Sequence, residues 1–189
     1  DEYSEETKAI YNHYHVYHQA DGMEQRTYNN AGLSEGRSEY LTRWISEQIS
    51  LPEYGNLLDI GCGNGSFMKA FGKVFQNWEM DGLEWDNRNT KEIESIPGVR
   101  KLLFGDLKDL EGKYDAIVMV HTLEHLINPR EWLVKVKDLL LPGGILIVEV
   151  PNTRNSPFDI LIIDHCTHFS MNTLERCIIS VSYTHLTLP

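Results

Sequence analysis

Short apolar runs alternate with amphipathic segments through most of this chain. The longest uninterrupted apolar runs are about five residues, and the one at 116–120, in the fourth predicted strand, is typical of strands covered on both faces. The predicted strands are 56–60, 79–85, 99–104, 114–120 and 145–150. Apolar positions three and four residues apart predict helices between these strands, one helix before the first strand and one after the last. The predicted helices are 38–49, 66–74, 91–96, 128–141 and 171–179.

Turn-forming residues mark the ends of these segments. Asn128 followed by Pro129 is typical of a helix start, and the Pro-Gly-Gly at 142–144 is expected to end that helix before the fifth strand begins at Ile145. Strands that alternate with helices predict an α/β fold with a Rossmann-like, doubly wound and mostly parallel sheet. Ligands of such sheets bind at the carboxyl ends of the strands, so the candidate chemistry is expected just after each strand.

Composition and charge exclude several classes of protein. Of 189 residues, 41% are hydrophobic and 24% charged, which is typical of a globular domain. Lys plus Arg number 17 and Asp plus Glu 28, so the net charge of −11 disfavours binding to nucleic acid or anionic membranes. The longest apolar runs fall far short of the roughly 20 residues of a membrane span. Three cysteines without a paired spacing and an acidic start without a signal peptide lead us to expect a cytoplasmic protein.

The first 33 residues differ from the rest in being rich in tyrosine and histidine. Tyr11, Tyr14 and Tyr17 would share one face of a helix. We expect this face to pack as a cap on the main domain. A lid over a ligand and a histidine metal site are the alternatives, and no third metal ligand in register is evident, so no metal site is predicted.

A glycine-rich turn follows the first predicted strand. Residues 59–65 read Asp-Ile-Gly-Cys-Gly-Asn-Gly, so the pattern is GxGxG, whereas dinucleotide-binding turns read GxGxxG. Alternate glycines allow a tight turn and close approach of the backbone to a ligand, and a helix N-terminus follows at once. Asp59 would repel a pyrophosphate but could hold an ammonium group. The turn therefore suits a ligand with an amine and a nucleoside and without a diphosphate.

Acidic residues follow the second and third predicted strands. Glu84 lies 19 residues beyond Gly65, near the spacing at which an acid accepts hydrogen bonds from ribose hydroxyls. In isolation, a solvated surface acid would be the simpler interpretation. Asp106 could accept from an adenine amino group with Leu107 against the ring, although Gly-Asp is also a common turn.

Together these residues and the Leu-Leu-Leu-Pro-Gly-Gly at 139–144 resemble the motifs of class I S-adenosylmethionine-dependent methyltransferases over about residues 36–178. The resemblance implies a seven-stranded sheet, of which this chain is expected to lack the last two strands. It implies S-adenosylmethionine as the cofactor, with glycines around its methionine part, Glu84 on the ribose and Asp106 on the adenine. The expected cofactor-binding residues are Asp59, Gly61, Cys62, Gly63, Gly65, Glu84, Asp106, Leu107 and His121.

Three later segments, 121–126, 149–152 and 164–170, are similar to a branch that includes sugar C-methyltransferases and methyltransferases of surface-polysaccharide clusters. The resemblance implies methyl transfer to a small polar acceptor, a sugar or sugar nucleotide, in polysaccharide biosynthesis. In those relatives a histidine that falls on His165 is the base, and the tyrosine of their pattern is replaced here by Ile162. Asp164, next to His165, could orient that ring or raise its pKa.

Histidine is well suited to proton removal near neutral pH. His165 is the first candidate for a general base, and His121, His125 and His168 are the others; packing, capping or backbone-contact roles are the alternatives. We expect residues 34–180 to form the cofactor-binding domain and 181–189 to be a non-native tail that ends a gene fragment. A methyltransferase-like binding subunit without catalysis and an NAD-dependent nucleotide-sugar oxidoreductase are the alternative functions.

Overall fold

The computed structural model describes residues 24, 26–28, 32, 34–85, 87–105, 107, 110–181 and 183. The strands are β1 (Arg26–Tyr28), β2 (Ser34–Gly36), β3 (Gly55–Ile60), β4 (Trp78–Glu84), β5 (Val99–Phe104), β6 (Tyr114–Val120) and β7 (Leu140–Glu149). The α-helices are α1 (Arg37–Gln48), α2 (Ser66–Val74), α3 (Thr90–Glu94), α4 (Pro129–Leu139) and α5 (Met171–Ser180). Two 3₁₀ turns cover Leu123–His125 and Pro157–Leu161.

Five strands form one sheet in the order β5-β4-β3-β6-β7, and every neighbouring pair is parallel. The chain runs outward from β3 to β5 on one side and then returns to β6 and β7 on the other. The strand order therefore switches between β3 and β6, and in sheets of this kind the ligand-binding crevice lies beyond the carboxyl ends of the two strands at the switch. This is the Rossmann-like fold class that the sequence predicts.

Both faces of the sheet are covered by helices, and the alternation of side chains along each strand divides the core in two. In β6, Ala116 and Val118 pack with α1, α2 and α3, while Ile117 and Met119 pack with α4 and α5. All four side chains are fully buried. Burial on both faces explains why the 116–120 run is apolar throughout. No helix among the described residues is long and apolar enough to span a membrane.

The predicted elements are confirmed to within two residues, apart from the junction of α4 and β7. The helix ends at Leu139 and the strand begins at Leu140, so the prediction that Pro-Gly-Gly separates them is wrong. These residues lie instead within β7, where the pairing register shifts between Tyr114 and Ala116 of β6. A bulge of this kind accommodates Gly143, whose φ is +82°, and Pro142 on an edge strand.

The antiparallel pair β1–β2 was not predicted, since its three-residue strands are too short to show an alternating pattern. The N-terminal tyrosine face, Asp106 and residues 184–189 of the expected tail lie outside the described residues. Glu24 precedes β1 and accepts a hydrogen bond of 2.6 Å from the backbone N–H of Ser38 in the first turn of α1. The first described residues therefore lie beside the N-terminus of α1.

A buried carboxylate links three strands of the sheet. Asp81 of β4 is 1% exposed and receives two hydrogen bonds from Arg100 of β5, at 2.9 and 2.7 Å. The hydroxyl of Tyr114 in β6 donates a third at 2.8 Å. Because the carboxylate is buried, removal of its cationic partner would leave an uncompensated charge in the core.

We expect Arg100→Met to lower the free energy of unfolding by about 2 kcal/mol. The loss of one partner of a fully buried ion pair costs about 3–5 kcal/mol, but Arg100 is more than a third exposed and Lys101 lies 3.9 Å from the same carboxylate. Tyr114→Phe should cost about 1 kcal/mol, as for one hydrogen bond. Urea unfolding measures both. Equal losses for the two variants would contradict the charge argument.

Candidate functional site

The glycine-rich turn crosses from β3 to α2 at the carboxyl edge of the sheet. Gly61, Gly63 and Gly65 all have positive φ, of +73°, +57° and +76°, which side-chain-bearing residues rarely adopt. A Cβ on Gly61 would also collide with the side chain of Thr122. The backbone N–H of Gly61 is bonded to the Leu83 carbonyl at 2.8 Å, so the turn is held against the end of β4.

Asp59 lies beneath this turn and is buried, and its Oδ2 has no hydrogen-bond partner among the described residues. Burial, and secondarily the charge of Glu84, raises the pKa of the Asp59 carboxyl to about 8. A buried carboxyl oxygen without a partner is costly unless a ligand group satisfies it. The geometry therefore suits the cation that the sequence analysis expected at this residue.

Glu84, at the end of β4, turns back into the glycine loop. Its Oε2 accepts a hydrogen bond from Gly63 N–H at 2.6 Å and its Oε1 accepts one from Trp85 N–H at 2.8 Å. Asn89 donates to the Gly63 carbonyl at 3.1 Å and fixes the loop from the other side. The structure thus brings Asp59, the glycine loop and Glu84 together, as the spacing predicted.

The remaining expected cofactor residues divide into buried and accessible ones. Cys62 and Leu107 are buried. Burial raises the pKa of the Cys62 thiol, so this side chain is uncharged and packs as an apolar residue. His121 lies at the end of β6 in a left-handed conformation, with φ +50°. Such a conformation costs free energy in a residue other than glycine and clusters at functional sites.

His121 lies between two glutamates. Its Nδ1 is 3.1 Å from Glu124 and its Nε2 is 3.2 Å from Glu149, which Arg37 approaches at 3.6 Å. Burial alone would lower the pKa of His121, but the hydrogen bonds to Glu124 and Glu149 outweigh it and raise the pKa. At a given pH, a larger fraction of His121 is therefore cationic than of an exposed histidine.

A second group of side chains lies beside the first. The 3₁₀ turn Leu123–His125 is tied to β3 because the Thr122 hydroxyl donates to the Ile60 carbonyl at 2.9 Å. It is tied to the segment 164–170 because Thr167 N–H donates to the Glu124 carbonyl, also at 2.9 Å. Three of the candidate bases, His125, His165 and His168, are thereby brought together at the same edge of the sheet as the glycine loop.

The rings of His125 and His165 meet edge to face with centroids 4.8 Å apart. His165 Nδ1 lies 2.7 Å from Oδ1 of Asp159, and His168 Nδ1 lies 3.2 Å from Oδ2 of the same carboxylate. The expectation that Asp164 orients His165 is wrong. The side chain of Asp164 instead lies 3.4 Å from His125 Nδ1; the chain turns at residues 163–164, where His165 N–H donates to the Ile162 carbonyl.

Asp159 was missed by the sequence analysis. It lies in the 3₁₀ turn Pro157–Leu161 among apolar residues, and no spacing connects it to His165 before the chain has folded. The signal that could have identified it is a single acidic residue within an apolar segment, an uncommon position for a carboxylate. Two overlapping sets of potential metal ligands also arise, Glu124-His125-His165 and Asp159-His165-His168, each with its ligand atoms within 4.8 Å of one another.

A family model described as a methyltransferase domain matches residues 33–178. The ubiquinone biosynthesis O-methyltransferase of Cereibacter sphaeroides is 24% identical over 67% of this chain and 56% of that protein. The trans-aconitate 2-methyltransferase of Deinococcus radiodurans is 26% identical over 64% of this chain and 45% of that protein. The chain thus spans about half the length of the curated relatives it matches.

The plantazolicin methyltransferase BpumL, solved in complex with SAH, has a similar fold, with a TM-score of 0.62 and 16% identity over 77% of this chain and 61% of that one. The family match covers the glycine loop, Glu84 and the histidine cluster described above. This chain belongs to the methyltransferase-domain family.

Proposed function

We propose that this chain binds S-adenosylmethionine in the crevice between β3 and β6 and transfers its methyl group to a small-molecule acceptor. The observation that carries the proposal is the buried Asp59 oxygen without a partner, beneath a turn of three positive-φ glycines. This arrangement leaves a carboxylate for an ammonium group and backbone close enough for a ligand to contact. The family match and the SAH-bound structural neighbour support the same cofactor.

The residues present fit this cofactor. Asp59 would hold its amino group, Gly61 and Gly63 would contact its methionine part, and Glu84 would accept from its ribose hydroxyls. Glu84 accepts from Gly63 N–H within the glycine loop, and a carboxylate offers about four lone-pair sites in all. When bound, S-adenosylmethionine supplies an electrophilic methyl group on a sulfonium centre.

The chain's own part in the transfer is to align the acceptor and remove its proton. We propose His165 as the general base. Its Nδ1 lies on the carboxylate of Asp159, which makes Nε2 the basic atom of the ring. His125 and His168 border the same place and would contact the acceptor.

The acceptor that the sequence resemblance favours is a sugar or sugar nucleotide. A second candidate class, acceptors with an apolar part beside a polar methylated atom, is favoured by the segment next to the histidines. There Phe158, Leu161 and Ile163 are 77%, 74% and 79% exposed. Exposed apolar side chains in such a group mark binding surfaces. Compounds of both classes should be included in the library of acceptors that is tested for methyl transfer.

The first test is thermal unfolding of the chain with S-adenosylhomocysteine, with NADH and with buffer alone. A ligand at 100 times its dissociation constant stabilises a protein by about 2.7 kcal/mol. In a domain of this size that corresponds to a Tm rise of about 5 °C or more. We expect the rise with S-adenosylhomocysteine only, and we expect Glu84→Ala to abolish most of it.

Glu94→Ala, which removes an exposed glutamate of α3, is the matched control and should keep the full rise. A cooperative transition without a rise would refute the cofactor proposal. A rise without methyl transfer to any member of the library would favour the alternative, a binding subunit without catalysis.

A further inference from the structure

One buried carboxylate holds two histidines. Asp159 is 2% exposed, and its two oxygens lie 2.7 Å from His165 Nδ1 and 3.2 Å from His168 Nδ1. His165 is 9% exposed and His168 is 34% exposed, so the pair spans from the protein interior to the surface.

The backbone fixes this arrangement. Ser156 O accepts from Asp159 N–H at 3.1 Å, Asp159 O accepts from Ile162 N–H at 3.0 Å, and Ile162 O accepts from His165 N–H at 3.1 Å. The last two of these turns join Asp159 to His165 through six residues of chain, and the first fixes Asp159 to the segment before it. At the far end, Phe169 is buried in the core and anchors the segment. The distance between Asp159 and His165 is therefore set by the fold, with little freedom for either side chain.

We propose that Asp159 is the positioning residue of the catalytic site: it holds His165 in the tautomer with hydrogen on Nδ1 and so presents Nε2 as the base. A carboxylate accepts hydrogen bonds only, so each Nδ1 facing it must carry the hydrogen. In neutral imidazole the other nitrogen is then the acceptor. This inference rests on the proposed function for its catalytic meaning, while the tautomer itself is independent of it.

The other groups around His165 do not replace Asp159. His125 presents its ring edge to face, Glu124 lies within reach of both rings, and Asp164 is directed toward His125. None of these places an oxygen on His165 Nδ1. The tautomer of His165 is therefore expected to depend on Asp159 and to be insensitive to Asp164.

The test is the ¹⁵N NMR spectrum of protein labelled in its histidine rings, with His165→Gln to assign the signal. We expect His165 to be in the Nδ1–H tautomer in the unsubstituted chain and in Asp164→Asn. In Asp159→Ala the population of that tautomer should fall several-fold. Asp159→Asn is the variant of equal size in case the alanine chain does not fold. Its amide has one acceptor oxygen for two rings, so at least one ring must change tautomer.

A second measurement separates positioning from a structural role. In the methyl-transfer assay, Asp159→Ala should lower kcat at least about tenfold with little change in KM. In a chain that already carries His165→Ala, the same substitution should have no further effect, because the effects of residues that act as a unit are not additive. The Tm rise with S-adenosylhomocysteine should persist in Asp159→Ala. Loss of that rise in the unsubstituted chain refutes the proposed function, whereas an unchanged His165 tautomer in both Asp159 variants refutes this inference.

A metal ion is the competing use of the same side chains. ZnCl₂ added to EDTA-treated protein should leave the Tm unchanged. A rise with zinc that Asp159→Ala abolishes would overturn the positioning role, because Asp159 would then be a metal ligand with His165 and His168.

Discussion

Replacement of His165 by alanine is expected to lower the rate of methyl transfer at least about 100-fold, the usual contribution of a general base. The loss should appear in kcat, because the ring acts on the proton that leaves the acceptor. Binding of S-adenosylhomocysteine, measured by its Tm rise, should be unchanged, because Asp59 and the glycine loop lie on the other side of the turn at Leu123–His125.

His165→Gln is the matched variant, since it keeps polar atoms and most of the volume but cannot take up a proton near neutral pH. It should be as inactive as the alanine variant. Near-full activity of either would remove His165 from the mechanism. His125→Ala and His168→Ala, made in parallel, would then identify which neighbouring ring is the base.

The affinity for S-adenosylhomocysteine is expected to rise with pH between about 6 and 8. The pKa of Asp59 is raised to about 8, so without ligand the carboxyl is largely protonated below that pH. An ammonium group binds the ionised form, so binding must release a proton. Well below the pKa the affinity should fall about tenfold for each pH unit, as linkage requires.

Asp59→Asn removes the titration, so we expect weaker binding that no longer changes with pH in this range. Titration calorimetry in two buffers of different ionisation enthalpy measures the released proton directly. Equal heats in the two buffers for the unsubstituted chain would contradict the assignment of the ammonium group to Asp59.

The same raised pKa has a consequence for stability without ligand. Because the folded-state pKa of Asp59 lies above its unfolded value of about 4, the folded chain binds more protons between these limits. This contribution to stability is fully present below about pH 4 and is lost as the pH rises to about 8. Asp59→Asn removes this titration. We therefore expect the substitution to raise the Tm of the unliganded chain, relative to the unsubstituted chain, more at pH 8 than at pH 5.

The sequence by itself determined the sheet and its carboxyl-edge loop. The uninterrupted apolar run in β6 and the three- and four-residue spacing of apolar positions in α2 are typical of a doubly covered strand and of a helix, so the fold class was visible without any tertiary contact. Asp59, Gly63 and Glu84 were found for the same reason. They lie at or just beyond the carboxyl ends of two adjacent parallel strands, and parallel strands end at one edge of a sheet.

Tertiary structure decided the second half of the site. Where the chain turns, the side chains of adjacent residues point in different directions. The carboxylate of Asp164 therefore lies beside His125, whereas that of Asp159, six residues before His165, contacts the His165 ring. The bulge in β7 likewise arises from pairing with β6, which no local pattern of Pro and Gly reveals. Local periodicity sets which segments are strands and helices, whereas the partner of a buried polar side chain depends on loop geometry, and this was fixed only when the sheet and its loops had packed.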